Sequence, residues 1–393
     1  MNMSHADELK ERARAAIDTA HVSLVELSER LHANPELAFE EHRASEWLCE
    51  ALDGAGFAVT RPLADLPTAF GARHGEGALH LGLCIEYDAL PTVGHACGHN
   101  LIATMSLGAA LGLAACADDA GVTVRALGTP AEEGGCGKAI MLARGAFDGV
   151  HAAMLVHPAP YEVPAPELIA MANWRVRYHG RSAHAAAFPQ QGINAADALT
   201  VAQVAIGLLR QHLPPAARVH GIVVEGGEQA NLVPAETEAS FYLRAPTREQ
   251  LADVEQRIRA CFEAGALATG AQLEIDEVSP AYADMRPDAE LLDRYVANAT
   301  RLGRRFDDDA RAAEMSASSD MGNVSHALPS IQPTISVESL PAVNHQQGFA
   351  DACIGPIAER ALRDGAVVMA WTAIDAALDP ELRARLLAGP PPS

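Results

Sequence analysis

Positive charge is scarce in this chain, which sets 29 Lys and Arg against 51 Asp and Glu for a formal net charge of −22. A surface so acidic repels polyphosphate backbones and anionic lipid headgroups, so neither nucleic acid nor membrane is expected as a partner. Long apolar runs are missing too. Residues 1–14 are polar and charged, without the apolar core of a signal peptide, and no uninterrupted apolar stretch reaches membrane-spanning length, so a cytoplasmic location is expected. Framework cysteine spacing is also absent. The seven cysteines are an odd number, scattered and mostly in apolar surroundings, which speaks against a disulfide scaffold. No internal repeat is visible.

What is present is material for two domains, since 393 residues exceed what one core usually sustains. The 49% of hydrophobic residues supply the cores, and 20% charged is ordinary for a soluble globule. Residues 6–33 carry Leu, Ile and Val at helical spacing and stop at Asn34-Pro35, where the residue before proline is pushed out of the helical region. A second helix over 40–55 stops at Gly56. Residues 57–60 and 79–85 read as strands, the latter a nearly continuous apolar run suited to a sheet covered on both faces. A buried helix is expected over 101–115, with strands at 122–127 and 152–156.

From about residue 169 the pattern changes. Strands at 168–178, 218–225, 236–243 and 272–278 alternate with helices at 194–211 and 248–264 in a β-α-β-β-α-β order, that of a small ferredoxin-like α+β module. The expected organisation is an α/β domain built from 1–168 and 283–393, interrupted by a smaller domain at 169–282. The returning part supplies another helix, a loop at Ser319-Asp320-Met321-Gly322, a short strand at 334–337 and a last helix containing 367–377.

The chemistry concentrates in Glu86-Tyr87-Asp88-Ala89-Leu90-Pro91 and His95-Ala96-Cys97-Gly98-His99-Asn100, which pack carboxylate, thiolate and imidazole donors into one short segment. Glu132-Glu133 follows in a Gly-rich turn, His157 ends an apolar run, and His345 sits in a polar loop. Donors thus recur at the carboxyl ends of strands, where open α/β sheets place their sites. Cys97 lies between His95 and His99, and neighbouring cations or a bound metal help a thiolate stay deprotonated. Two divalent cations held close together polarise a carbonyl and lower the pKa of water. They need mixed donors plus one unligated carboxylate to carry the proton.

Adjacent Glu132 and Glu133 diverge in an extended loop, so Glu133 is assigned as a ligand and Glu132 as the general base. Asp88 suits the task of orienting a ligating imidazole better than binding metal itself. Taken singly, each residue has a plainer reading. Glu132-Glu133 is a solvated acidic turn, Asp88 a cap ahead of Pro91, Cys97 a buried thiol beside a capping histidine, His157 a strand-end histidine and His345 a loop residue. Their convergence carries the metal-site reading.

With these motifs the chain resembles the di-metal aminoacylase/carboxypeptidase family of metallopeptidases in its amidohydrolase branch, and most resembles the dipeptidase group with EYDALP followed by GHACGHN. The resemblance also rests on HANPELAFEE at 32–41, Glu132-Glu133-Gly134-Gly135, His157, GRSAHA at 180–185, GGEQANLVP at 226–234, SDMGNVS at 319–325 and Asn344-His345. It implies that Cys97, His99, Glu133, His157 and His345 bind one or two divalent metals, with Glu132 as base and Asp88 behind the ligands. It implies a zinc-peptidase-like catalytic domain with a mixed central sheet and an inserted lid that forms a homodimer. His184 would then reach a neighbouring active site to stabilise the oxyanion, while Asn231 and Arg244 hold the substrate.

Two departures stand out: Glu86 occupies the place of a metal-binding histidine found in many relatives, and Asn100 replaces an aspartate common after HACGH. Thiolate and imidazole suit zinc, and the added carboxylate also admits manganese or cobalt. The expected reaction is hydrolysis of the amide bond of a small N-acyl amino acid or dipeptide. The alternatives are a catalytically silent binding or partner subunit that keeps the fold, and a metal-independent thiol hydrolase using Cys97.

Overall fold

The computed structural model describes residues 4–307 and 317–389, and the chain divides into two units, Met1–Glu167 with Met285–Ser393, and Leu168–Asp284. The first unit begins with α1 (His5–His32), capped by Ser4, whose side chain accepts the Asp7 N–H. Leu9, Ala13, Ile17, Leu24 and Leu31 recur at helical spacing and bury one stripe of it. Then follow α2 (His42–Gly54), β1 (Ala58–Thr60), β2 (Phe70–His74), β3 (Leu79–Ile85), α3 (His99–Ala114), the single turn α4 (Ala117–Ala120), β4 (Val122–Gly128), α5 (Gly137–Ala143), β5 (Ala152–Met154) and β6 (His157–Ala159).

The second unit contains β7 (Ala170–His179), α6 (Ala195–Leu209), β8 (Arg218–Glu225), β9 (Glu236–Ala245), α7 (Arg248–Thr269) and β10 (Gln272–Glu277). Its sheet runs β10-β7-β9-β8, every pair antiparallel, as a ferredoxin-like order requires. Alternation along β7 turns Ala172, Trp174, Val176 and Tyr178 inward against Phe241, Leu243, Ile258 and Phe262. The strand β8 lies at the sheet edge and exposes almost its whole length.

The chain then returns to the first unit with α8 (Ala289–Leu302), α9 (Met321–Ala327), β11 (Ser330–Ile331), β12 (Thr334–Ser336), α10 (Gln347–Ala352), α11 (Pro356–Leu378) and α12 (Pro380–Ala388). The central sheet is mixed, in the order β1-β2-β4-β3-β5-β11. β3 pairs parallel with β4 and β5, and β2 pairs antiparallel with β4. α3 is buried around almost its whole circumference, packed against α1, α11 and the sheet. A Cβ on Gly112 would come within 2.8 Å of Ile17, so a glycine there sets how closely α1 and α3 approach. Among the described residues no helix is long and apolar enough to cross a membrane.

Several expectations needed correction. The strand β2 was not anticipated, because Phe70-Gly71-Ala72-Arg73-His74 offers neither an apolar run nor clean alternation. The strand expected over 152–156 ends at Met154, and the backbone restarts as β6 in a separate two-stranded sheet with β12. The SDMG segment is not only a loop, since Asp320 caps α9 and Met321 begins it. α3 starts at His99 rather than 101, which places that histidine in its first turn.

Gly128, opposite Phe70 in the β2–β4 register, closes β4 just before the site loops. A Cβ there would sit 2.2 Å from the buried Phe70 ring, which stacks on Tyr87 with centroids 5.9 Å apart. Gly128→Ala should therefore lower the unfolding free energy by about 1–3 kcal/mol. Urea titration measures this, and an unchanged midpoint contradicts the packing described.

Candidate metal centre

β3 and β4 run parallel with Ile85 level with Gly128, so the segments beginning at Glu86 and Thr129 leave the sheet side by side. Thr129 N–H prolongs the pairing by donating to Ile85 O at 2.8 Å. Gly98 then turns the chain into α3 with φ of +81°. A Cβ at Gly98 would meet Pro158 at 2.9 Å, so glycine serves both the turn and the approach of the His157 segment.

These turns bring donors together. His99 Nδ1 lies 3.0 Å from Asp88 Oδ1, both side chains fully buried. Asp88 Oδ2 accepts the Glu133 N–H at 2.9 Å. His99 Nε2 faces Glu86 Oε2 at 3.7 Å, Glu132 Oε2 at 3.8 Å and Glu133 Oε1 at 3.9 Å. Cys97 Sγ is 3.6 Å from His157 Nε2, while His157 Nδ1 contacts Pro158 O at 2.8 Å. His345 is the exposed member of the group, with Nε2 3.5 Å from Glu133 Oε1. Three overlapping trios have ligand atoms within 4.8 Å of one another: Cys97, His99 and His157; Cys97, Glu133 and His345; and His99, Glu132 and Glu133.

The residues fit a divalent cation. His99 Nε2 and Glu133 Oε1 are buried without a hydrogen-bond partner, and such atoms are rare unless something else satisfies them. Sulfur, imidazole nitrogen and carboxylate oxygen are donors that zinc and its neighbours accept. The electrostatics agree. Burial opposes a charge on His99, but Asp88 and Cys97 outweigh it and raise its pKa well above the usual value, so positive charge at this point is favoured.

The two adjacent carboxyls are driven apart. Burial, then Glu86, Glu133 and Asp320, raise Glu132 well above the ordinary range. Burial would raise Glu133 as well, but the contact with His345 and the charge of His99 overturn it and Glu133 is lowered. The geometric premise for separating them was wrong, however. The pair does not lie in an extended loop: Gly134 N–H bonds Glu132 O at 2.9 Å and Gly135 N–H bonds Ala131 O at 3.1 Å, forming a turn that aims both carboxylates at His99.

Both departures acquire physical causes. Asn100 gives its amide hydrogens to Ser28 Oγ at 2.9 Å and Cys353 O at 3.0 Å, binding α3 to α1 and α10 rather than serving the centre. An aspartate there has no N–H to give. Glu86 is held by Lys138, whose Nζ lies 2.6 Å from Glu86 Oε1 and 2.6 Å from Asp320 Oδ1. Lys138 and Asp320 were missed. The signal was a lone lysine among the small and apolar residues of Gly135-Cys136-Gly137-Lys138-Ala139-Ile140. Glu41 was missed as well, although it closes the HANPELAFEE motif. It is fully buried, and its Oε1 accepts the N–H of Ala131, a residue held at φ of +60° just before Glu132.

The remaining expected residues belong to the second unit. His184 accepts the N–H groups of Ala186 and Ala187 on Nδ1 at 3.2 Å each, and Ala185 N–H donates to Asn231 O at 3.0 Å, so the GRSAHA and GGEQANLVP loops pair. Arg244 is not with them. It lies toward the other end of β9, with its guanidinium 5.7 Å from the Tyr242 ring centroid. Nine residues separate it from Ala235, the partner of Gly180 where those loops meet, or about 30 Å of strand.

Residues 169–269 match the model of a peptidase dimerisation domain. A mouse (Mus musculus) protein named Xaa-Arg dipeptidase is 38% identical over 390 residues, covering 95% of this chain and 90% of its own length. The chain belongs to the M20 family of metallopeptidases. It is a metal-dependent hydrolase of amide bonds. One of the subunits of p-aminobenzoyl-glutamate hydrolase from Escherichia coli is 35% identical over 282 residues, covering 66% of this chain and 58% of its own length. Among solved structures, a dinuclear-metal-binding peptidase of the M20 family from Bacillus subtilis superposes with a TM-score of 0.68 at 22% identity, covering 91% of this chain and 98% of its own. An aminobenzoyl-glutamate utilization protein from Klebsiella pneumoniae gives 0.72 at 18%, covering 91% and 97%. At these identities the structural likeness is one of M20 fold.

Burial first, and then Asp88, push the Glu41 carboxyl up from an ordinary 4.5 to about 7. Below pH 4.5 it is protonated in folded and unfolded chains alike. Between about 4.5 and 7 the unfolded chain releases the proton while the folded chain keeps it, so unfolding free energy falls as pH rises through that window. Glu41→Gln, which keeps an acceptor for Ala131, should lack this component, on the order of 2–3 kcal/mol. Urea unfolding from pH 4.5 to 7.5 reads the difference between wild type and variant, and a difference that stays flat contradicts this account of Glu41.

Proposed function

We propose that this M20 hydrolase cleaves the amide bond of a dipeptide or small N-acyl amino acid, with Glu132 as general base. Cys97, His99, Glu133, His157 and His345 would hold one or two ions of zinc, manganese or cobalt, with Asp88 fixing His99. The observation that carries this reading is the gathering of these side chains around the unpartnered His99 Nε2 and Glu133 Oε1. Bound divalent cations would supply polarisation of the scissile carbonyl and a lowered pKa for water. Glu132 does the proton work: its environment favours the protonated carboxyl, so it readily takes a proton from water at Oε2 and returns it to the departing amine nitrogen. Glu133, held anionic by His345 and His99, suits a ligand.

The mouse relative supports a dipeptide with a basic carboxy-terminal residue as the first substrate to test, and the net charge of −22 favours the approach of such a cation. Cys97 makes a poor independent nucleophile, because burial and then Glu133 raise its thiol well above the ordinary range. A cytoplasmic site of action fits seven cysteines that are all free.

A second copy of the chain would cover β8, which exposes Ile222 at 68%, Val223 at 47% and Val224 at 56%, beside Leu208 of α6 at 68%. Dimerisation also gives His184, Asn231 and Arg244 a use. A dipeptide cannot touch both ends of a span of about 30 Å, so His184 with Asn231 would serve one active site and Arg244 the other. His184 would then stabilise the oxyanion in the neighbouring site, and Arg244 would clamp the substrate carboxylate.

A chelator should abolish hydrolysis, and added zinc, manganese or cobalt should restore it; activity that survives metal removal favours the thiol mechanism instead. Glu132→Gln should keep wild-type metal content while kcat drops by roughly 10²-fold or more. Elemental analysis alongside kinetics separates the two effects, and parallel loss of metal would reassign Glu132 as a ligand. Mixing His184→Ala with Glu132→Gln should regenerate activity that neither has alone. Mixed dimers without any activity would place His184 outside a shared site.

A further inference from the structure

Lys138 is the second residue of α5, and its side chain is entirely buried. Its ammonium touches two carboxylates that are themselves fully buried, Glu86 Oε1 and Asp320 Oδ1, each at 2.6 Å, and its backbone N–H donates to Asp320 Oδ2 at 2.8 Å. One residue thereby ties the end of β3, the start of α5 and the cap of α9. Two carboxylates hold the lysine charged against the opposing effect of burial.

This contact bears on which residues bind metal. Donors about 2.1 Å from one tetrahedral cation stand about 3.4 Å apart. By its distance to His99 Nε2 alone, Glu86 Oε2 at 3.7 Å compares with Glu132 Oε2 at 3.8 Å and Glu133 Oε1 at 3.9 Å, yet Glu86 joins none of the three donor trios. Glu86 also meets a different charge from Glu133. Glu86 Oε1 has the Lys138 ammonium at 2.6 Å, whereas Glu133 Oε1 faces the imidazoles of His345 at 3.5 Å and His99 at 3.9 Å, and no lysine or arginine contact is recorded for it among the described residues.

We propose that Lys138 is a positioning residue that withholds Glu86 from the metal centre, so that Glu133 supplies the carboxylate ligand beside His99. The inference rests on the metal-centre reading above and deepens it. The ammonium neutralises part of the Glu86 charge and fixes Oε1 away from the centre, which weakens Glu86 as a donor; without the ammonium, Glu86 is a buried carboxylate in need of a cation.

The direct test is a crystal structure of the wild-type protein loaded with zinc or manganese. Glu86 Oε1 should remain on Lys138 Nζ, with both Glu86 oxygens more than about 3 Å from any metal. A Glu86 oxygen at about 2.0–2.2 Å overturns the proposal. In solution, competition with a chelator should show Lys138→Met holding metal roughly tenfold more tightly than wild type, and Lys138→Met/Glu86→Gln losing that gain. A merely structural lysine would lower the melting temperature and leave affinity equal or weaker in both variants, which also overturns the proposal. Should Lys138→Met not fold, the wild-type structure decides alone. Wild-type protein that takes up no divalent metal on dialysis ends both this proposal and the metal-centre reading, whereas metal bound with Glu86 among the ligands ends this one only.

Discussion

The buried carboxylate of Asp88 is the contact on which the centre depends, because its two oxygens act on two different segments. Oδ1 meets His99 Nδ1 at 3.0 Å, and Oδ2 takes the Glu133 N–H at 2.9 Å. The first contact leaves Nε2 as the nitrogen that faces the other donors, and the second sets the backbone of the Glu132-Glu133 turn. Burial by itself would raise the pKa of Asp88, but His99 and the Glu133 N–H lower it, so it stays an anion. Removing it would take away the orienting partner of His99 and the acceptor of the Glu133 N–H at a fully buried position.

Around this anchor the fold crowds acidic groups that cost a great deal to bury singly. Glu86, Asp88, Glu132 and Asp320 are all under a tenth exposed, and the cation seated among them is Lys138. The arrangement sorts them by partner. Asp88 has His99, Glu86 and Asp320 share Lys138, and Glu133 faces His345 and His99. Glu132 feels the repulsion of Glu86, Glu133 and Asp320 on top of its own burial and becomes the group that prefers its proton. Glu132 and Glu133 are therefore distinguished by neighbours contributed from distant segments, although the two residues are adjacent in sequence and point the same way.

This explains how far the sequence could be read. The strand over 79–85, the β-α-β-β-α-β order of the second unit and the donor-bearing segments were legible, because apolar runs and motif spacing are local properties. β2 was not, since nothing in its five residues signals a strand and, of its two pairing partners β1 and β4, the one that joins it to the central parallel strands lies about fifty residues on. Side-chain divergence in an extended loop was expected to set Glu132 apart from Glu133, but a hydrogen-bonded turn points both inward. Asn100 and Glu86 looked like disturbances of the metal site. Their explanation lies in Ser28, Cys353 and Lys138, contacts that no local pattern encodes.

The second unit carries two features of its own that bear on the proposed dimer. An edge strand with consecutive exposed Ile222, Val223 and Val224 and no proline invites pairing with another chain, and proteins that remain monomeric usually blunt such an edge with charge, proline or a covering segment. Here the apolar edge persists beside exposed Val204 and Leu208 of α6. The same β9 that carries this edge strand also holds Arg244 about 30 Å from the paired loops of His184 and Asn231, too far for one small substrate to meet all three in a single copy. An uncovered edge and a divided set of polar residues are two independent features, and the symmetric dimer proposed above would account for both.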